Sequence, residues 1–419
     1  MRYSDFTGPT YSGKALTVGG DRCINFRSVK VEATGEYHLH STPGHKLFTT
    51  LPAQPLQKTY TEPATKRMFA ITGSVFYEVF SDGTYHSYGQ IDGGYYRFAS
   101  NAEQIMLTCA TTHTGWIFTL SANTLARITS AGFLGADDVC MIDNYFITRL
   151  HSSRKFQISA LLDGLTWDAA DIGVAEAAPD NLVGEIDNHS ELWLFGSQHT
   201  EVFIDTGAAL FPFERETNIY IEQGLAATES LAKVDNTLYW IGQYAYGSYR
   251  IYRAYGYTPQ GVSNSSIEYF INQYAKEGAL ADAKGFGYMN SVGRSFYVLN
   301  FPSATSDIDN TGRIVTNVIR GACWVYDIGG NMWHEWQSLD KASGRLGSPL
   351  SLYHTFAFGK HLTCGGDNTG NIYELSDYVY RDNGNPIKRI RRAPSVMDEL
   401  KIIRHRSLKV NAEVGVIER

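Results

Sequence analysis

One local pattern limits what this chain can become. An apolar strand, a Gly, Asn or Asp turn and a second strand recur about seven times along its 419 residues. The first clear copy is Phe69-Ala70-Ile71-Thr72-Gly73-Ser74-Val75-Phe76-Tyr77-Glu78-Val79. Others begin near Gln104, Val139, Glu185, Lys233, Ser291 and His354, at intervals of roughly 35 to 63 residues, the shorter ones close to a propeller-blade period. The longer intervals imply inserted loops. Several strands are apolar on both faces. In Thr237-Leu238-Tyr239-Trp240-Ile241-Gly242, Leu238 and Trp240 point one way, Tyr239 and Ile241 the other. A sheet covered on one side would alternate apolar and polar residues. A blade held between two others is buried on both sides.

These observations predict an all-β chain, a β-propeller of about six to eight irregular blades over residues 61–380. A β-sandwich, with equally aromatic inner strands, is the competing architecture; the long repeat and its seven units favour the propeller. The 27 Tyr, 21 Phe, 7 Trp and 40 Gly suit short strands joined by tight turns. Residues 1–60 read as an arm plus first strands. One helix is expected from Ser265-Ser266-Ile267-Glu268, a capping-box sequence. Ile267, Phe270, Ile271 and Tyr274 then follow at helical spacing, and Gly278 can end it.

Charge is uneven. The net is −7, but residues 381–419 carry +5, leaving −12 on residues 1–380. An acidic body argues against a surface that tracks nucleic acid throughout. The basic tail includes Lys388, Arg389, Arg391 and Arg392. Two readings of that run stay open: a phosphate or partner contact, or a solvated strand edge whose charges prevent pairing. The five cysteines are scattered and form no CxxC pair, so no zinc site or disulfide framework is indicated, and folding in a reducing cytoplasm is expected. There is no signal-peptide pattern, and no apolar run approaches the ~20 residues of a membrane helix.

No candidate catalytic, metal or cofactor site emerges. HExxH, GxSxG, a Walker-type loop and GxGxxG are absent. Asp163-Gly164-Leu165-Thr166-Trp167 has the flavour of a sialidase-type Asp box, but its Asp and Gly are adjacent, so a hairpin turn is expected. Asp307-Ile308-Asp309-Asn310-Thr311-Gly312 starts like a calcium loop, yet Val318 stands where a bidentate Glu is needed. It reads as a solvated loop. His334 and Glu335 are neighbours on a strand and face opposite sides, so they cannot share one metal or proton. A glycosidase would need two carboxylates about 5 to 9.5 Å apart. A propeller carbohydrate-active enzyme and a glycan-binding tail protein therefore stand as the alternative functions.

In order along the chain, Ile24-Asn25-Phe26, Thr42-Pro43-Gly44, the turn and strand from Gly73 to Val79, Asp163-Gly164-Leu165-Thr166-Trp167 and Pro179-Asp180-Asn181-Leu182 form a series. It continues with Glu191–Gly196, Thr200-Glu201-Val202, Phe211-Pro212-Phe213-Glu214-Arg215, Ile221-Glu222-Gln223-Gly224 and Tyr239-Trp240-Ile241-Gly242. Gly256-Tyr257-Thr258-Pro259, Phe301-Pro302, Val325-Tyr326-Asp327 and Asp382-Asn383-Gly384 complete it. This series resembles the packaged-DNA stabilization family of short-tailed bacteriophages, which form the tail nozzle or hub. The resemblance implies a non-enzymatic β-propeller virion protein of the tail, without cofactor, assembled in the host cytoplasm. It implies a hexameric ring below the portal and its adaptor, contacts to needle, spike or fibre proteins, and genomic double-stranded DNA in the channel. Lys388, Arg389, Arg391 and Arg392 are then the candidate contacts to DNA or adaptor. The segment 303–323 is longer than the family's usual hairpin, which makes Asp307, Asp309, Asn310 and Arg313 a candidate partner loop. The family continues with more strands after a segment like 407–419, so residues 381–419 read as the start of a platform domain.

Overall fold

Each of the seven repeat units falls in a different sheet of the computed structural model, which describes residues 6–12, 20–30, 35–53, 55–243, 247–308, 314–341 and 343–393. The sheets are antiparallel blades of a seven-bladed β-propeller. Blades 1 to 5 occupy residues 56–90, 96–127, 140–174, 182–215 and 232–261, four strands each in simple up-and-down order. Blade 6 starts with Lys284–Met289 and Ser295–Phe301 and adds Ala322–Asp327 and Met332–Glu335. Blade 7 runs through Ser351–Ala357, Lys360–Gly365 and Asn371–Ser376.

The second strands explain the two-sided apolar pattern. Met68–Thr72 is buried at every residue, and Glu191–Gly196 and Thr237–Gln243 at all but their ends. Two outer strands, Thr124–Arg127 and Gln260–Gly261, are short and largely exposed, which limits edge pairing with other chains there. Hairpins between first and second strands use mirror-image turns with both central residues at positive φ: Asp143-Asn144, His189-Ser190 and Asp235-Asn236. This geometry matches the twist of the strands it joins.

Blade 7 takes its fourth strand from the other end of the chain. Gly44–Thr50 pairs antiparallel with Asn371–Ser376 and closes the ring. Gly20–Ile24 similarly extends blade 6 beside Met332–Glu335 and is capped by Ile390–Arg392. The arm is thus woven into the propeller. Closure is tight, because a Cβ on Gly44 would lie 2.3 Å from the Val379 carbonyl oxygen.

The helix is Ser265–Lys276, between blades 5 and 6, and ends before Gly278 at positive φ. Its cap lies one residue before the expected Ser265: Asn264 accepts from the Ile267 amide, while Glu268 accepts from Arg250 and Ser263 instead of closing a capping box. Ile267, Phe270, Ile271 and Tyr274 are buried as expected, with Phe270 against Trp324 and Tyr274 against Phe301.

Candidate functional site

The first strands of the blades surround the axis, where a propeller usually has a channel. Here charged side chains fill it at the end where those strands begin. Glu229 sits on a single helical turn, Thr228–Ser230, in the link between blades 4 and 5. Its carboxylate lies 3.0 Å from Arg97, 3.6 Å from Lys58 and 3.4 Å from Lys284, which come from blades 2, 1 and 6. Arg97 also reaches Asp138 at 3.4 Å. Burial penalises the Glu229 charge, but Arg97, Lys58 and Lys284 outweigh it and hold the carboxyl well below its ordinary range. Burial lowers the Lys58 ammonium to about 8 against the opposing pull of Glu229. The space left is a cavity of about 60 Å³ lined by Lys58, Glu229, Lys284, Phe286, Tyr353 and His354. That is room for a few waters. A duplex whose major groove alone is about 12 Å wide cannot pass.

Blade closure produces a second constellation. His45 Nε2 is 2.5 Å from Ser351 Oγ, and its Nδ1 is 2.7 Å from Asp382 Oδ1. Ser338 donates to the other oxygen of Asp382. The order Ser, His, Asp matches a nucleophilic triad. Ser351, however, is fully buried, and His45 and Asp382 are 3 % and 5 % exposed. A nucleophile needs a reachable carbonyl and oxyanion donors around it. With Ser351 in the closing blade and His45 in the closing strand, the chain of bonds joins the two ends of the ring.

One carboxylate pair, Glu185 and Asp138, is enclosed. Glu185 and Asp138 are close enough to interact, and burial raises the Glu185 carboxyl well above its ordinary value. Each is only 4 % exposed, so a sugar cannot reach them. Asp163 accepts from the Leu165 amide and the Thr166 hydroxyl, and Trp167 donates to the Gly164 carbonyl, a self-braced turn. Glu335 faces Arg22, while His334 is buried on the opposite side and pushed to about 3 by burial. A second cavity, bordered by Arg27, Tyr288 and His334, has about 10 Å³.

The four basic residues are not equivalent. Arg391 has a side chain only 3 % exposed. It donates to the carbonyls of Phe6, Pro9 and Arg22 and pairs with Asp21, so it ties the arm to blade 6 and is not presented on the surface. Half-buried Arg389 donates to Ser41. Lys388 is exposed, with its carbonyl accepting from Asn25, and Arg392 is half-buried. Asp307 pairs at 3.0 Å with Arg22, which also binds Glu335. Asp309, Asn310 and Arg313 lie outside the described residues. Sequence reading missed Glu229, the His45 chain and a cluster of His113, Asp137 and His151, each assembled from separate turns or strands.

Among the described residues, the seven-bladed propeller has charged side chains across its axis, and its Ser351–His45–Asp382 chain is buried. No curated protein matches the chain. Among solved structures, the Neurospora crassa Pan2 WD40 domain has 8% identity and a TM-score of 0.46, covering 82% of this chain and 98% of that one. A virginiamycin B lyase from Staphylococcus aureus has 8% identity and a TM-score of 0.46, covering 77% and 94%. Likenesses this distant carry no argument. The family model described as "Bacteriophage P22 Gp10, beta-propeller" matches residues 26–380, and the chain belongs to that family. This is the packaged-DNA stabilization family its motif order resembled, and membership makes it a bacteriophage structural protein and virion component.

Proposed function

We propose that the protein is a tail nozzle or hub subunit that works as one copy in a ring. The observation that carries this reading is the closed propeller axis. Glu229 and its three cations obstruct the axis of one subunit, which supports a DNA path enclosed by several copies. Six copies extend the portal-adaptor channel, help retain packaged DNA and let it pass on ejection. Needle, spike or fibre proteins attach to the outer surfaces, and the segment of Asp309, Asn310 and Arg313 is proposed as one contact, with Asp307 held by Arg22 at its start. The acidic body discourages DNA from sticking to the wall.

Lys388 is the cation of the basic run best placed to meet a phosphate or an acidic adaptor surface, with Arg389 and Arg392 beside it. Arg391 serves the fold. Reversing the charge of Lys388 and Arg392 together tests the assignment. The expected result is weaker adaptor docking or faster loss of packaged DNA, with a reduced salt dependence. Unchanged docking and unchanged DNA retention would remove this contact from the account. The burial of Ser351, Glu185 and Asp138 favours this reading over the sugar-enzyme alternative.

A further inference from the structure

We propose that His113, Asp137 and His151 form a binding site for a divalent transition-metal ion of the zinc class, stapling blade 2 to blade 3. His113 lies in the turn between the second and third strands of blade 2, and His151 in the corresponding turn of blade 3. Asp137 lies in the link between these blades. In an up-and-down propeller, such turns and links fall on the same face. The three side chains offer ligand atoms that all lie within 4.8 Å of one another.

The three donors come from separate segments and converge on one point. Both histidines direct Nδ1 at the carboxylate, each at a different oxygen: His113 at Oδ1, and His151 at Oδ2 at 2.9 Å. Their rings are 4.0 Å apart. Two imidazoles and one carboxylate are a zinc-type donor set, with the fourth position left to water or substrate. Metal–ligand bonds of about 2.0–2.2 Å put ligand atoms roughly 3.3 Å apart. Binding an ion would draw the widest pair in by roughly 1.5 Å at most and open the two His–Asp contacts, now at hydrogen-bond distance, movements within reach of two exposed histidine side chains.

A supporting shell is in place. Asp137 is 7 % exposed, and Arg149 donates to its Oδ2 at 3.2 Å, leaving Oδ1 as the better metal ligand. The Arg149 carbonyl also accepts from the Asp137 amide, and the His113 carbonyl accepts from Ala136, so both supporting backbones are fixed. Ser152 Oγ lies 3.1 Å from His151 Nε2, the outer partner a ligating imidazole usually has. The histidine side chains are 39 % and 58 % exposed, which gives an ion direct entry.

The test uses the full chain, stripped with a chelator and dialysed, then titrated with zinc chloride by calorimetry. One ion per chain should bind with micromolar or tighter affinity and raise the thermal midpoint. His151→Ala, at the most exposed ligand, should keep the native circular dichroism and weaken zinc binding at least tenfold. Asp137→Asn should do the same, provided its spectrum shows a folded chain. A cobalt-substituted sample should show visible absorption that His151→Ala abolishes. No stoichiometric binding below millimolar zinc would overturn the proposal, as would zinc binding unchanged in the folded His151→Ala protein.

Discussion

Glu229→Gln removes the one anion that holds three cations across the propeller axis while keeping nearly the same side-chain volume. Removing one partner of a buried ion pair costs about 3–5 kcal/mol, because the remaining charge is left uncompensated. Here Arg97, Lys58 and Lys284 would face one another with only Asp138 near Arg97. Unfolding entropy of about 2.1 cal/mol/K per residue gives a chain of this length about 0.9 kcal/mol/K, so the loss corresponds to roughly 3–6 °C in Tm. The pH dependence has a definite sign. The folded carboxyl titrates below its ordinary value of 4.5, so its contribution is present above that pH and fades as pH falls below it. Differential scanning calorimetry of wild type and variant at pH 7 and at pH 4 measures both effects, and the gap should narrow at pH 4. Adding Lys58→Met should recover part of the loss, since one stranded cation disappears. If Glu229→Gln melted with wild type at pH 7, a charge-locked axis would be untenable.

Between its folded value of about 8 and its ordinary 10.5, Lys58 binds more protons in the unfolded chain, so stability should rise with pH there by up to about 3 kcal/mol. Denaturant titrations at pH 7.5 and 10 should show this rise in wild type and not in Lys58→Met. Ser351 should resist fluorophosphonate labelling in the native protein, and His45→Ala should lower Tm by several degrees; rapid labelling would contradict a structural role. Gly44→Ala forces a Cβ against two backbone carbonyls, a misfit worth about 1–3 kcal/mol or more, which a lowered denaturation midpoint would report. Arg391→Met should destabilise the arm and speed its proteolysis, whereas Lys388→Met should leave both unchanged; equal behaviour would erase the distinction between them.

Much of the fold was legible because each blade is locally coded. Adjacent residues such as Tyr239 and Trp240 are both fully buried, and that demand for cover on both faces is written in five consecutive positions, Leu238 to Gly242. The helix was legible for the same reason, with its cap misplaced by one residue because Ser263, Asn264, Ser265 and Ser266 are all capping types. The closing strand Gly44–Thr50 was not legible, since its partner Asn371–Ser376 lies more than 300 positions away and no local period connects them. The axis cluster draws one residue each from blades 1, 2 and 6 and from one interblade turn, and ring geometry alone brings them together. Arg391 looked like its neighbours Arg389 and Arg392, because sequence reports a charge and not the carbonyls around it. A pairing pattern at the strand Ile390–Arg392, with alternate residues facing the arm, is the signal that separates it.

We propose that DNA passes between copies of the propeller and not through its axis. Electron cryomicroscopy of the purified protein, alone and with candidate adaptor rings, tests it most directly. The expected result is a ring of propellers around one common channel, each with density filling its own axis at Glu229. A persistent monomer that ignores the adaptor, or nucleic-acid density running through the axis of a single propeller, would contradict it.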